Sequence, residues 1–186
     1  ENHRQNARGR LNCRQRALPE SFREIIKNII SAGKGVVMNQ NLRVRRMEAG
    51  DLLRAAALEQ SSFSQPWSEK LLAEGLNSPL DTYFVCTCEN EIAGYCVLRV
   101  LADEGELQRI AVFSEYRRQG VGRKLMEAML AAAREEGASS VSLEVRESNV
   151  GAMRLYEEYG FCQEAVRKKY YQEPEEDAVI MWNRSL

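Results

Sequence analysis

A glycine-containing turn between a strand pattern and a helix pattern is the feature that most restricts the fold of this chain. The turn reads RRQGVGR, from Arg117 to Arg123. It follows the apolar strand pattern LQRIAVF and opens the helix pattern KLMEAMLAAAREEG, which ends at Gly137. The next stretch, SSVSLEV, alternates as a strand does. Residues 107–145 therefore predict a strand–helix–strand crossover.

The periodicity of the other residues predicts one mixed domain around this crossover. From Leu42 onward the expected order is β-α-α-β-β-β-α-β-α-β-β, with a hairpin turning at Glu89–Glu91. This pattern is typical of an α/β (α+β) domain in which helices cover one layer of sheet. The helix expected from Val121 to Glu136 has one apolar face, formed by Val121, Leu125, Met126, Met129, Leu130 and Ala133.

Residues 1–37 differ in character from the rest and are predicted to be a separate basic extension. They carry eight Arg or Lys residues and three Glu, whereas residues 38–186 carry 18 basic and 24 acidic residues. The only periodic part, SFREIIKNIISAGKG, predicts one short helix. Three interpretations stay open: an added or upstream-translated, non-native segment with Met38 as the natural start, an arm that binds the ribosome or RNA by charge, and a mitochondrial-type presequence.

Composition argues against several classes of function for residues 38–186. The formal net charge of the whole chain, −1, argues against nucleic-acid binding by bulk charge, and the longest apolar runs fall short of the roughly 18 residues that a membrane span needs. Because the only histidine is His3, catalytic triads and metal sites built on histidine are excluded, and no metal is expected. The five cysteines fit no disulfide framework, and we interpret them as reduced thiols of a cytoplasmic protein.

The RRQGVGR turn has the chemistry of an anion cradle. A helix N-terminus leaves its first amide N–H groups unpaired and carries a partial positive charge. Glycines let a ligand approach the backbone and arginines add charge, which together suit a pyrophosphate. The turn lacks the Gly-Lys-Ser/Thr ending of a Walker loop and the third glycine of a dinucleotide fold. The alternative is a tight turn at a helix start whose arginines are only solvated.

Over residues 42–186 the sequence resembles the GNAT family of N-acetyltransferases. The stretch LQRIAVFSEYRRQGVGRKLMEAMLAAAREEG, followed by VSLEVRESNVGAMRLYEEYGF, is similar to the core of that family. The stretches FSQPWSEK and RKKYYQEPEEDAVIMW are similar to its branch of bacterial ribosomal-protein alanine N-acetyltransferases. The resemblance implies that residues 38–186 are an acetyltransferase domain with a mostly antiparallel central sheet flanked by helices, and that acetyl-CoA is the cosubstrate.

The resemblance also implies roles for individual residues. Glu144 would be the general base, Tyr156 the general acid, and Asn149 a further contact to the cofactor. The pantetheine arm of acetyl-CoA would pair with the backbone of Ile110, Ala111 and Val112. Its pyrophosphate would lie on the turn formed by Arg117, Arg118, Gln119, Gly120, Val121, Gly122 and Arg123.

These residue types suit acetyl transfer to an amine. A carboxylate can take the ammonium proton and a phenol can protonate the departing thiolate, while a backbone N–H near Val112 can polarise the thioester carbonyl. Phe63 and Trp67 are candidate walls of the acceptor groove. Tyr170 and Tyr171 are a candidate lid over the peptide terminus. Each assignment has a simpler alternative. Glu144 could be a solvated strand residue, and the aromatic residues could serve only for packing.

The interpretation that best fits the sequence is transfer of acetyl to the N-terminal alanine of a ribosomal small-subunit protein in the cytoplasm. The acidic loop at residues 173–177 is either solvated or attracts a basic peptide. The alternatives are acetylation of other protein N-termini or small amines, a non-catalytic module that binds CoA or a protein, and a ribosome-bound factor acting through the extension. We expect no membrane and no direct nucleic-acid partner for the domain; the sequence does not determine the oligomeric state, and a monomer is favoured.

Overall fold

The strands and helices follow one another in the order that the sequence predicted. The computed structural model describes residues 42–186. The strands are β1 (Leu42–Arg46), β2 (Asp81–Cys88), β3 (Glu91–Leu101), β4 (Glu104–Val112), β5 (Ser140–Arg146), β6 (Cys162–Gln172) and β7 (Glu175–Asn183). The helices are α1 (Leu52–Ser62), α2 (Glu69–Leu76), α3 (Val121–Glu135) and α4 (Val150–Glu158), with short 3₁₀ turns at Ala49–Asp51 and Ser114–Tyr116.

The seven strands form one sheet with a single parallel pair. The strand order is β1-β2-β3-β4-β5-β7-β6. Only β4 and β5 run parallel, and every other neighbouring pair in this sheet is antiparallel. The parallel pair is connected by α3, as expected for the crossover at residues 107–145. The predicted mixed, mostly antiparallel sheet is therefore confirmed.

Local sequence signals account for several element boundaries. The β2–β3 hairpin turns at Glu89 and Asn90, both of which have positive φ, 51° and 75°, as a two-residue turn of the right twist requires. Helix α3 follows Gly120, whose φ of 91° is left-handed and suits a glycine. Helix α4 is capped by Asn149, whose side chain accepts a hydrogen bond of 3.2 Å from the Ala152 N–H.

The sheet separates two apolar layers. On one face, α3 and α4 pack on the side chains of the central strands, and the predicted apolar face of α3 is entirely buried. On the other face, α1 and α2 cover a second core that includes Leu58, Leu72, Tyr95 and Ala111. Side chains alternate between these two layers along the central strands, so the layer to which a residue of these strands belongs follows from its position.

The expectation that all five cysteines are reduced is wrong for one of them, and the expectations about residues 1–37 stay predictions. Cys86, Cys88 and Cys96 are free and buried, but Cys162 takes part in a disulfide, so the expectation of five reduced thiols is wrong for that residue. The basic extension at residues 1–37, its short helix and the boundary at Met38 lie outside the described residues and stay predictions. None of the helices in the described range is long and apolar enough to span a membrane.

Candidate active site

A cleft opens where the two parallel strands separate. The pairing of β4 with β5 ends at Leu107 and Leu143, although β4 continues to pair with β3 and β5 with β7. The cleft has a volume of about 540 Å³. Its lining includes eight residues that the sequence singled out: Phe63, Trp67, Ile110, Glu144, Asn149, Tyr156, Tyr170 and Tyr171.

The ladder pattern leaves backbone groups of β4 free to face this opening. The Phe113 N–H donates to the Ala93 carbonyl on β3 at 3.0 Å. Because alternate residues of an antiparallel strand bond to the same neighbour, the peptide groups of Ala111 also face β3, whereas those of Ile110 and Val112 face away from it. Of the three residues expected to pair with a pantetheine arm, Ile110 therefore offers its peptide groups to a ligand and Val112 its N–H, since the Val112 carbonyl accepts a hydrogen bond from Arg117.

Glu144 lies on the wall of the cleft that β5 provides. Its neighbours Leu143 and Val145 are buried in the α3–α4 layer, so the strand alternation turns Glu144 toward the opposite face. Its Oε1 atom is 2.7 Å from Nη1 of Arg167 on β6. A hydrogen bond to Glu144 is the largest cause of the raised pKa of the Tyr170 phenol. An incoming cation would thus share the Glu144 carboxylate with Arg167 and Tyr170.

Tyr156 reaches the same cleft from the other layer. It belongs to α4 and packs on Phe161, with 6.1 Å between the ring centroids. Burial raises the pKa of its phenol, because the charged form loses solvation. The phenol therefore stays protonated at neutral pH while lining the cleft. The gap between β4 and β5 is what allows Glu144 and Tyr156, from opposite sides of the sheet, to line one cavity.

The α1–α2 loop forms an aromatic wall organised by a buried carboxylate. Glu59 is fully buried. Its carboxylate accepts a 2.6 Å hydrogen bond from the backbone N–H of Trp67 and another hydrogen bond from the Tyr95 hydroxyl. Its Oε1 atom also lies 3.7 Å from Nε of Arg109 on β4. The Arg109 guanidinium in turn lies 4.4 Å from the ring centroids of both Phe63 and Trp67. Phe63 and Trp67 are thus held against an arginine in the cleft, which the sequence did not predict.

Arg146 connects the aromatic wall with the β6–β7 turn. Its Nη2 atom donates to the Ser64 hydroxyl at 3.0 Å and to the Glu173 carbonyl at 2.9 Å. Its Nη1 atom is 3.2 Å from the Glu176 carboxylate, and the guanidinium lies 4.1 Å from the Tyr171 ring centroid. Arg146 therefore joins three segments around the cleft.

The acidic loop at residues 173–177 is largely neutralised by nearby cations. Glu176 pairs with Arg146, Asp177 with Lys168 at 2.5 Å, and Glu175 with Lys169 at 3.2 Å. The pKa values of Asp177 and Glu176 are lowered, chiefly by hydrogen bonds from Lys168 and from the Ser148 N–H, respectively. This pairing leaves little free negative charge in the loop to attract a basic peptide.

The RRQGVGR turn forms an open helix start, outside the lining of the cleft. No side chain caps α3, so the amide N–H groups of Val121, Gly122 and Arg123 have no acceptor within the helix. Arg118 has a left-handed φ of 61° and, among residues 42–186, contacts no hydrogen-bond or ion-pair partner. This open, basic helix start has the properties of an anion cradle.

The other two arginines and the second glycine of the turn have structural contacts. Arg117 donates from Nε to the Val112 carbonyl at 3.1 Å, and Arg123 pairs with Glu158 of α4 at 2.5 Å. A Cβ atom on Gly122 would lie 3.2 Å from Leu155 of α4, so this glycine also permits α3 and α4 to pack closely. The solvated-arginine alternative therefore does not describe these two side chains.

The residues that sequence reasoning missed are charged side chains at long sequence separation: Glu59, Arg109, Arg146 and Arg167. The signal available for them was their position in apolar or aromatic stretches, such as ALEQSSF and ELQRIAV. A charge among apolar residues predicts a paired site but not its partner, because the partners here are up to 82 residues apart.

The chain is similar to known acetyltransferases in sequence and in fold. Residues 52–161 match the family described as Acetyltransferase (GNAT) family. The ribosomal protein bS18-alanine N-acetyltransferase of Escherichia coli K12 is 36% identical over 140 residues, covering 74% of this chain and 94% of the relative. A crystal structure of an Escherichia coli ribosomal-protein-alanine N-acetyltransferase has a TM-score of 0.70 at 36% identity, covering 76% of this chain and 92% of that one. The crystal structure of Ard1 from Thermoplasma volcanium has a TM-score of 0.73 at 29% identity, covering 78% of this chain and 99% of that one. The chain therefore belongs to the GNAT family and is an acetyltransferase, as its motifs predicted.

Proposed function

We propose that this enzyme transfers acetyl from acetyl-CoA to the N-terminal α-amine of an alanine on a ribosomal small-subunit protein in the cytoplasm. The observation that carries the proposal is the cleft between β4 and β5, which joins a carboxylate, a protonated phenol and an aromatic wall. The acceptor is proposed from the Escherichia coli relative, whose name specifies ribosomal protein bS18 and alanine. The cytoplasm follows from that substrate.

The residues present fit acetyl-CoA in two places. The open start of α3, with Arg118 beside it, suits the pyrophosphate. The peptide groups of Ile110, which face away from β3, suit the amides of the pantetheine arm, in the way that an added strand pairs with a sheet edge, whereas the Val112 carbonyl already accepts a hydrogen bond from Arg117. Acetyl-CoA supplies the activated acetyl thioester. Asn149 also lines the cleft.

Glu144 is the group proposed to accept a proton from the acceptor ammonium. Only a neutral amine is a nucleophile, so a carboxylate on the cleft wall, acting directly or through a water, prepares the acceptor for attack. The same carboxylate orients the amine by a charge-assisted hydrogen bond. Phe63 and Trp67 shield this contact from bulk water on one side.

Tyr156 is the group proposed to deliver a proton to the departing thiolate. Its raised pKa keeps the phenol protonated before the reaction, and its position in α4 lets it approach the cleft from the layer opposite Glu144. The Val112 N–H faces away from β3 and is available to stabilise negative charge on the carbonyl oxygen. The two proton-carrying groups thus act from opposite sides of the sheet.

Mass spectrometry of peptides incubated with the protein and acetyl-CoA tests the acceptor class. We expect acetylation of a basic peptide that begins with alanine. We expect none when its N-terminus is blocked, and none when a lysine side chain carries the only free amine. Binding of acetyl-CoA without acetylation of any peptide would contradict the proposal and favour a small-amine enzyme or a non-catalytic module.

Replacing the proposed base separates catalysis from binding. Glu144→Gln should lower kcat/KM by about 100-fold or more, because general-base catalysis typically contributes that much, while acetyl-CoA affinity measured by calorimetry should not change. Glu164→Gln is the matched control, since Glu164 also pairs with an arginine, Arg184 at 2.7 Å, but outside the cleft. Equal activity in the two variants would refute the role of Glu144.

A further inference from the structure

Arg109 is held in the cleft by contacts unusual for a strand arginine. Its side chain is only 21% exposed. The guanidinium lies 4.4 Å from the ring centroids of both Phe63 and Trp67, in the geometry of a cation–π contact. The α1–α2 loop thus fixes the charge of Arg109 in one place rather than leaving it to swing in solvent.

The contacts of Arg109 use only part of its guanidinium. Nε is buried and has no hydrogen-bond partner among the described residues, but it lies 3.7 Å from the buried Glu59 carboxylate, whose charge balances that of the guanidinium. Nη2 donates to the Gln65 carbonyl at 3.3 Å. Within residues 42–186, Nη1 has no hydrogen-bond acceptor, and it is not among the buried unpaired atoms. Since Arg109 lines the cleft, Nη1 is a fixed donor available to a bound molecule.

Arg109 and Glu144 lie on the same side of the sheet, across the opening between β4 and β5. Arg109 pairs with Val97 of the α1–α2 layer, and strand alternation turns Glu144 to that layer too. Burial is the largest cause of the raised pKa of the Tyr171 phenol. The charge of Glu144 raises this pKa further, and the charge of Arg109 lowers it, so both charges act on the same phenol. The cleft therefore has an acceptor of hydrogen bonds on one wall and a donor on the other.

We propose that Arg109 determines acceptor specificity by donating a hydrogen bond from Nη1 to the carbonyl oxygen of the acceptor's N-terminal residue. This inference rests on the proposed function and deepens it. In a peptide, the α-amine and this carbonyl are separated by a single carbon atom, so Glu144 and Arg109 bind the two ends of one residue. A lysine side-chain amine has no carbonyl at that spacing and leaves Arg109 unsatisfied, which selects against it.

A thermodynamic cycle between enzyme and substrate tests the hydrogen bond. The substrates are an alanine-initiated peptide and its analogue in which an E-alkene replaces the first peptide bond, keeping the shape but removing the oxygen. With the wild-type chain, we expect kcat/KM to be about 10- to 100-fold lower for the alkene, the value of a hydrogen bond to a charged group. With Arg109→Met, the amide and the alkene should react at similar rates.

The ratio of the two rates separates recognition from structural damage. If loss of the Arg109–Glu59 pair only disturbs the α1–α2 loop, both rates fall and their ratio stays at the wild-type value. That result would overturn the proposal. Arg109→Lys keeps a cation beside Glu59 and should also reduce the ratio, because it lacks the planar fork; it serves if the methionine variant does not fold. Arg54→Met, which removes an arginine stacked 3.9 Å from the Phe113 ring centroid, should keep the wild-type ratio.

Failure of the proposed function and failure of the role assigned to Arg109 give different results. If the wild-type chain acetylates neither peptide, the proposed function fails, and this inference fails with it. If it acetylates both at equal rates, the function stands and Arg109 does not read the carbonyl. If it acetylates a lysine side chain as readily as the α-amine in both the wild type and Arg109→Met, the selectivity assigned to Arg109 is refuted.

Discussion

At the scale of single residues, the two proposed proton carriers differ in how they are surrounded. Glu144 is shared among Arg167, Tyr170 and the cleft, whereas Tyr156 is nearly buried, with its ring against Phe161. The sequence motifs predicted both residues. The partners of Glu144 could not be predicted, because they lie on β6, which is separated from β5 in the sheet by β7.

Removing the Tyr156 hydroxyl should affect the chemical step alone. Tyr156→Phe keeps the packing on Phe161 and should lower kcat by about 100-fold, with acetyl-CoA affinity unchanged. Burial raises the pKa of this phenol above its ordinary value of 10.0, so it stays protonated as the pH approaches that value. Its ionisation should therefore cause no decline in wild-type kcat on the alkaline side of neutrality. Steady-state kinetics across pH tests both statements.

Tyr159→Phe is the matched control for this measurement. Tyr159 directly follows the same helix as its C-cap residue, but its hydroxyl donates to the Arg123 carbonyl at 3.2 Å and lies outside the cleft lining. We expect its kcat to stay within a few-fold of the wild type, since a single partly exposed hydrogen bond contributes about 1 kcal/mol to stability. A loss of kcat equal to that of Tyr156→Phe would argue against a specific acid role for Tyr156.

At the scale of elements, Arg146 is a side chain that links two walls of the cleft. It ties the α1–α2 loop at Ser64 to the β6–β7 turn at Glu173 and Glu176, and stacks on Tyr171. Both segments are loops or strand ends that pack less than the sheet does, so their relative position depends on few contacts. Arg146 is therefore a positioning residue.

Loss of this link should weaken acceptor binding more than turnover. We expect Arg146→Gln to raise the KM for an alanine-initiated peptide by about 10-fold, as for one lost charged hydrogen bond, with a smaller change in kcat and none in the KM for acetyl-CoA. Arg184→Gln is the control, because Arg184 also pairs with a glutamate and stacks 3.6 Å from a ring centroid, that of Trp182. An equal fall of kcat with unchanged KM in both variants would indicate a general loss of folded protein and would contradict the positioning role of Arg146.

At the scale of the whole molecule, the edge of the sheet is anchored by a buried carboxylate. Asp51 accepts hydrogen bonds of 2.6 and 2.9 Å from the Arg45 guanidinium and one of 2.8 Å from the Glu48 N–H. The bond from Arg45 is the largest cause of the lowered pKa of Asp51. These bonds join β1 to the start of α1, and so connect the sheet with the helical layer above it.

Acid should remove this stabilisation. Because the folded-state pKa of Asp51 lies below the ordinary value of 3.8, its contribution is fully present above that value and is lost as the pH falls through the folded-state pKa. We expect Asp51→Asn to lower the free energy of unfolding by about 1 to 3 kcal/mol at neutral pH, and the difference from the wild type to shrink in acid. Urea unfolding at several pH values measures this.

An exposed ion pair supplies the comparison for that measurement. Glu74→Gln breaks the Lys70–Glu74 pair, whose atoms are 3.8 Å apart on the surface of α2. We expect a change below about 1 kcal/mol with little dependence on pH, since exposed pairs contribute little. If Asp51→Asn behaves in the same way, the buried carboxylate does not anchor the edge of the sheet.

The sequence by itself determined the order of the elements, the buried face of α3, the hairpin at Glu89 and Asn90, and the family. These depend on periodicity, turn residues and short motifs, which are local properties of the chain. The tertiary structure alone decided that β7 lies between β5 and β6, that β4 and β5 part after Leu107, and that Arg109 and Arg146 enter the cleft. These features depend on contacts between distant segments, whose partners no local pattern of residues specifies.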